Sequence, residues 1–248
     1  MQLWLCPLFG FLLGSIPFGL LIARASGIDI RAHGSGNIGA TNVLRVVGKK
    51  HGILCLLLDL LKGFIPVVIA INLIHIEGKG FTVPLGFLHP WMLTVPRTHP
   101  LPGQWAQVAT GLAAILGHNY SPWVGFKGGK GISTSAGVLL ALMPAATVIL
   151  VLVWLGVLLA TRYVSVASIT AAVVLPVLTH LGARFHPDDA ANPAGPTLWQ
   201  AGTWNKPLFF FTLAIALLAV WKHRPNIQRL LNGTENRFQK KRHVTSSN

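Results

Sequence analysis

Three short segments of this chain gather groups suited to holding anions. The first, Arg31-Ala-His-Gly-Ser-Gly-Asn-Ile-Gly-Ala-Thr-Asn-Val-Leu-Arg45, sets glycines among Ser35, Asn37, Thr41 and Asn42 and closes on an arginine. Glycines let backbone N–H groups turn toward one anion, the hydroxyl and amide side chains add donors, and a guanidinium adds a fork that matches phosphate. The second, Gly117-His-Asn-Tyr-Ser-Pro-Trp-Val-Gly-Phe-Lys-Gly-Gly-Lys-Gly131, puts Lys127 and Lys130 in a glycine run that opens a helix. A helix N-terminus presents free N–H groups and the positive end of a dipole, a natural seat for phosphate. The third, Trp221-Lys-His-Arg-Pro-Asn-Ile-Gln-Arg-Leu-Leu-Asn-Gly-Thr-Glu235, carries His223 three residues before Asn226 and ends on the one acid of a basic tail.

Two familiar nucleotide motifs are approached and missed. Gly34, Gly36 and Gly39 fit G-x-G-x-x-G, but an apolar helical run precedes them where a dinucleotide site needs a strand. Lys130 is followed by Gly131, so the second segment is no Walker loop. Taken alone, Gly128-Gly129-Lys130-Gly131 also reads as a basic turn against lipid headgroups. Asp59 and Lys62, three apart in an apolar run, read as an ion pair on one helical face or as direct participants. Ser165 and Ser168 have the same spacing, for which helix packing is the plainer reading.

The elements that carry these segments are apolar. Of 248 residues, 52% are hydrophobic and 10% charged, with a mean hydropathy of +0.58, whereas soluble domains are about a quarter charged. An integral membrane protein is implied, and disorder or a disulfide scaffold is excluded. The charge is lopsided, 20 Lys plus Arg against 6 Asp plus Glu, yet the basic residues fall between apolar runs, not on a solvated face with interleaved aromatics. Nucleic acid is therefore not an expected partner. Cys6 and Cys55 lie in apolar stretches without ligand-spaced neighbours, and the acids are scattered, so neither a metal nor a cofactor is called for.

Apolar runs fall at 3–23, 52–76, 105–124, 132–160, 163–182 and 204–221. The fourth is long for one span, and Pro144 divides it, which predicts a hairpin turning at Met143–Ala145 with arms of about 14 residues, one or both short or re-entrant. Seven transmembrane helices with the N-terminus outside and the C-terminus cytoplasmic then put 15 of the 20 basic residues inside, as the positive-inside rule asks. The expected organisation is one all-α membrane domain over 1–248. Its proline-rich outer loops fall at about 78–104 and 183–205, the motif segments 31–45, 117–131 and 221–235 face inward, and a basic tail covers 236–248. Anion-suited segments on one side of a small membrane protein point to an enzyme of lipid synthesis, or to a transporter or flippase of a phosphorylated metabolite.

The three segments, read with Gly14-Ser-Ile-Pro-Phe-Gly19, Leu58-Asp-Leu-Leu-Lys-Gly63 and Tyr163-Val-Ser-Val-Ala-Ser168, closely resemble the motifs of one family: the bacterial acyl-phosphate-dependent glycerol-3-phosphate acyltransferases. The match covers most of 10–76 and 110–235, in the family's order. The resemblance implies an inner-membrane enzyme, working at the cytoplasmic face, that moves an acyl group from acyl phosphate to the 1-hydroxyl of glycerol 3-phosphate. It implies Ser35, Arg45, Lys130 and His223 as the catalytic set, which with Asn226 and Ser168 (Ser165 as its rival) also holds glycerol 3-phosphate. Asn37, Thr41, Asn42, Gly128, Gly129 and Gly131 would hold the acyl phosphate, with Glu235 and Lys127 in support. The implied partners are the two substrates, membrane lipids and an enzyme that forms the acyl phosphate. The outer loops and the tail beyond Glu235 exceed the family's compact pattern.

Overall fold

The computed structural model describes residues 2–182 and 206–238; the expected outer loop 183–205 and the end of the basic tail lie outside the described residues. Ten α-helices follow one another among the described residues: α1 (Gln2–Ser15), α2 (Phe18–Ala25), α3 (Ala40–Val46), α4 (Lys49–Leu73), α5 (Leu101–Asn119), α6 (Ile132–Leu142), α7 (Pro144–Thr161), α8 (Val164–Gly182), α9 (Lys206–Lys222) and α10 (Arg224–Leu231). The first apolar run is broken between α1 and α2, where Pro17 cannot donate a backbone hydrogen bond.

The expectation of seven spans does not hold. Among the described residues four stretches are long and apolar enough to cross a membrane: Leu3–Ala25, Lys49–Leu73, Pro144–Thr161 and Val164–Leu181. A fifth appears if α9 and α10, bent by 51° to each other, count as one. Two expected crossings fail for different reasons. α6 has 11 residues, about 16 Å of helix, roughly half the hydrocarbon thickness. α5 is long enough but carries Gln104, Gln107, Thr110, His118 and Asn119, so its apolar content falls short. The N-outside, C-inside arrangement that rested on seven spans loses its basis. The break in 132–160 does fall at Met143, but the arms have 11 and 18 residues and not about 14 each.

α4 packs against α1, α2, α3 and α6, and beside it runs α5. α1 lies along α5 so closely that a Cβ on Gly14 would sit 2.2 Å from the Ala114 carbonyl oxygen, a contact only glycine allows. A core of Val67, Val108, Ile115, Val138, Leu175, Phe211 and Ile215 joins α4, α5, α6, α8 and α9. A second cluster, with Leu20, Ala23, Ile30, Ile38, Val43 and Cys55, underlies the segment 31–45. By contrast α7 turns Val148, Leu152 and Leu159 outward, each more than half exposed, as a lipid-facing helix does.

The segment 78–104, expected to be irregular, is partly ordered. Ile74–Ile76 (β1) pairs in parallel with Leu93–Val95 (β2), and Gly86–Trp91 forms a 3-10 turn. Asn72 at the end of α4 fixes its start, donating to the Val83 carbonyl (2.9 Å) and accepting from the Leu85 N–H (2.8 Å).

Candidate active site

The three motif segments meet around one cavity of about 510 Å³. Ser35, Asn37, Thr41, Asn42, Arg45, Lys130, Gly131, Ser165, Ser168, His223, Asn226 and Glu235 all line it. Of the expected site residues, Gly128, Gly129 and Lys127 do not; Lys127 is exposed on the loop outside. The cavity has two characters. Its polar end gathers the motif residues, and its apolar arm runs between α4, α6, α7 and α8 past Leu56, Leu60, Leu139, Leu150 and Leu158.

In the first segment Asn42 is the hub. Its amide donates to the carbonyls of Ile30 (3.3 Å), His33 (3.0 Å) and Asn37 (2.9 Å), and its oxygen accepts from the Ser35 N–H (2.9 Å). Every polar atom of that buried side chain is therefore engaged in shaping the loop. The loop reverses at Gly34 with φ +61°, a conformation that costs a side chain dearly, and a Cβ there would also meet Asn42 Oδ1 at 2.3 Å. Asn37 Oδ1 accepts from the Gly39 N–H (2.8 Å). Ser35 and Thr41 are half-buried beside Arg45, on the last turn of α3.

In the second segment the loop folds back on the end of α5. The Gly128 and Gly129 N–H groups donate to the Asn119 and His118 carbonyls at 3.2 and 3.1 Å, so they hold the loop and are not free for a ligand. What they present is Lys130, followed by the first turn of α6, whose N–H groups have no intrahelical acceptors. Burial pulls the Lys130 amine down to about 8; Glu235 opposes that shift, and Arg229 and Arg45 add to it. Its Nζ donates to Asn226 Oδ1.

The third segment is wired through Glu235. Its Oε1 accepts from Asn226 Nδ2 (2.6 Å) and Ser165 Oγ (2.8 Å), and its Oε2 pairs with Arg229 Nε (2.8 Å). Burial alone would raise this carboxyl, but the bonds from Asn226, Arg229 and Ser165 outweigh it and hold it below its usual range. Asn226 is thereby fixed with its oxygen toward Lys130. His223, at the bend between α9 and α10, donates from Nδ1 to the Ala219 carbonyl (2.8 Å), because a carbonyl can only accept. In the neutral ring Nε2 is then left as an acceptor.

Sequence reasoning missed three participants. Arg229 is one turn beyond Asn226, where the lone acid Glu235 was the available signal. His118, quoted within its motif without a role, lines the cavity and lies 3.7 Å from Asp59 Oδ1. Trp154, in the lipid-facing helix, donates to Ser168 Oγ at 3.1 Å, and nothing in the hydropathy pattern marks it.

Fold and site together define an integral membrane protein with an anion-suited pocket that continues into an apolar groove. The chain belongs to the glycerol-3-phosphate acyltransferase family, whose model matches residues 4–233. It is 42% identical to the glycerol-3-phosphate acyltransferase of Geobacter sulfurreducens over 230 residues, covering 92% of this chain and 94% of that one. Two crystal structures of PlsY (YgiH), an integral membrane glycerol 3-phosphate acyltransferase, are similar at 37% identity over 96% of both chains. They are the glycerol 3-phosphate form, with a TM-score of 0.74, and the lysophosphatidic acid form, with 0.71. The transporter reading falls with this membership.

Proposed function

We propose that this chain acylates glycerol 3-phosphate with acyl phosphate as donor, at a site that faces the cytoplasm. The observation that carries the reading is the two-character cavity: its cationic end suits two phosphates, and its apolar arm suits an acyl chain that remains in the bilayer. The cytoplasmic side is supported by charge. Arg24, Arg45, Lys49, Lys50, Arg162 and Arg224 flank helix ends at the site, against Lys79, Arg97 and Lys206 at the other end.

Arg45, Lys130, Ser35 and Ser168 hold the phosphate of the acceptor, with Asn226 and His223 at its hydroxyls. The first turn of α6 beyond Gly131, with Asn37 and Thr41, holds the donor phosphate. Asn42, Gly128 and Gly129 act one step back, by shaping the loops. Glu235 orients Asn226 and Arg229. An acyl phosphate is already activated, so the site chiefly has to place two anions together and offset their repulsion. The 1-hydroxyl oxygen bonds to the acyl carbon, the bond from that carbon to the phosphate oxygen breaks, and the hydroxyl proton leaves on the departing phosphate. His223 Nε2 accepts a hydrogen bond from the neighbouring 2-hydroxyl, which leaves the proton of the attacking hydroxyl to the phosphate.

The test is purified protein given a long-chain acyl phosphate and radiolabelled glycerol 3-phosphate. Labelled lysophosphatidic acid and free phosphate should form in equal amounts. Product from acyl-CoA but not from acyl phosphate would overturn the choice of donor. His223→Gln should keep substantial turnover; its complete loss would give the proton to His223 instead.

A further inference from the structure

We propose that Trp154 is a positioning residue for the acceptor phosphate, acting by fixing which way the Ser168 hydroxyl points. This rests on the placement of Ser168 at that phosphate. An indole N–H only donates, so in the 3.1 Å bond from Trp154 Nε1 the Ser168 oxygen must be the acceptor. The proton of Ser168 is thereby turned away from Trp154, and it has no acceptor among the described residues.

Four helix threonines donate back one turn: Thr110 to Ala106, Thr147 to Met143, Thr161 to Val157 and Thr179 to Leu175. Ser168 is 2% exposed and lines the cavity, yet it makes no such bond. Ser165, one turn earlier on the same helix, sends its proton to Glu235. So of two serines on one helical face, one donates into the protein and the other is held with its donor free. An anion needs donors, and Trp154 keeps Ser168 from turning its lone pairs toward the phosphate. The same indole lines the cavity among the residues of its apolar arm, so the residue that walls the acyl groove also sets a donor at its polar end.

The experiment is a double-mutant cycle of Trp154→Phe and Ser168→Ala in full-length protein, with KM for each substrate, kcat and thermal midpoint measured. Phenylalanine keeps apolar bulk and removes the N–H. The expected result is a rise in KM for glycerol 3-phosphate of about ten- to a hundredfold in Ser168→Ala, the size of one hydrogen bond to a charged group, and of about three- to tenfold in Trp154→Phe, where the hydroxyl remains but is no longer oriented. The double variant should be no worse than Ser168→Ala, Ser168→Ala should leave KM for acyl phosphate unchanged, and any change in that constant on Trp154→Phe should be the same with and without the Ser168 hydroxyl. If Ser168→Ala raises KM for glycerol 3-phosphate but Trp154→Phe does not, or the two effects multiply, the positioning role is overturned while the placement of Ser168 stands. An unchanged KM in Ser168→Ala would overturn the placement itself, and the proposal with it. Should Trp154→Phe lose the fold, replacing Trp154 with benzothienylalanine, which keeps both rings and puts sulfur in place of N–H, decides the same question.

Discussion

Two lysines, Lys62 and Lys130, are both withdrawn from solvent, and their surroundings differ in kind. Lys62, 2% exposed on α4, pairs with Asp59 at 2.9 Å and donates to the Ile16 carbonyl at 2.7 Å, one of the backbone groups released where Pro17 breaks the first span. Asp59 in turn faces His118 and accepts from Cys55 Sγ at 3.7 Å. Around Lys62 the charge is answered and the carbonyl capped, so the group holds α4 to the break. Lys130 has only an amide oxygen as a bonded partner, and among the described residues no carboxylate lies within ion-pair distance. Its charge is buried but incompletely answered. A buried cation with its own counterion maintains a fold, whereas one left short of an anion is set for a ligand.

The largest effects should separate these two roles. Lys130→Ala removes the charge proposed to meet phosphate and should lower kcat/KM by about two to three orders of magnitude while the protein still melts normally. Lys62→Met should do the reverse. It leaves Asp59 buried without its partner, which costs about 3–5 kcal/mol and should lower the thermal midpoint in detergent, while the folded fraction still turns over. Adding Asp59→Asn to Lys62→Met should recover much of the lost stability. If Lys62→Met melted normally but lost turnover as Lys130→Ala does, the division between the two lysines would fail.

Acidity gives a second separation. With Lys130 lowered to about 8, its amine loses its proton, and with it the attraction for phosphate, as pH rises above that value. In the ligand-free enzyme kcat/KM for glycerol 3-phosphate should therefore fall by about tenfold per pH unit beyond 8. Stability moves the other way. The ordinary value, carried by the unfolded chain, is 10.5, so between about 8 and 10.5 the unfolded state binds more protons and this residue's contribution favours folding increasingly as pH rises. Lys130→Arg should abolish the alkaline fall. Persistence of the fall in that variant would assign it to another group.

How much of this was legible in the sequence follows from what kind of signal each feature leaves. Residue type and spacing marked the three anion-suited segments, because glycine runs with lysine and arginine are rare between apolar helices, and the cavity brings them together. The Asp59–Lys62 pair was legible as well, since i,i+3 spacing on a helix sets the geometry. The span count was not. Apolar content rewards burial against other helices as much as exposure to lipid, so α6, packed inside the bundle, looked like half of a full hairpin. Nor could spacing show that Asn42, Gly128 and Gly129 build the loops, because their hydrogen-bond partners are set by how the chain folds back. Trp154 was hidden for the opposite reason: its neighbours on α7 are apolar, and its one polar atom leaves no trace in their pattern.

The smallest effect bears on the choice the sequence left open between Ser165 and Ser168. Ser165 contributes one of three bonds to Glu235, and Asn226 and Arg229 supply the other two. Ser165→Ala should therefore leave the carboxylate oriented and raise KM for glycerol 3-phosphate only about twofold, whereas Glu235→Gln, which disturbs all three bonds and removes the charge paired with Arg229, should cost about tenfold. The two should not multiply, since Ser165 acts only through Glu235. Ser165→Ala and Ser168→Ala should multiply, because one serine supports the third segment and the other is proposed to meet the ligand from the cavity wall. If Ser165→Ala proved as costly as Glu235→Gln, that hydroxyl would have to reach the substrate itself, and the contrast between the two serines would be wrong.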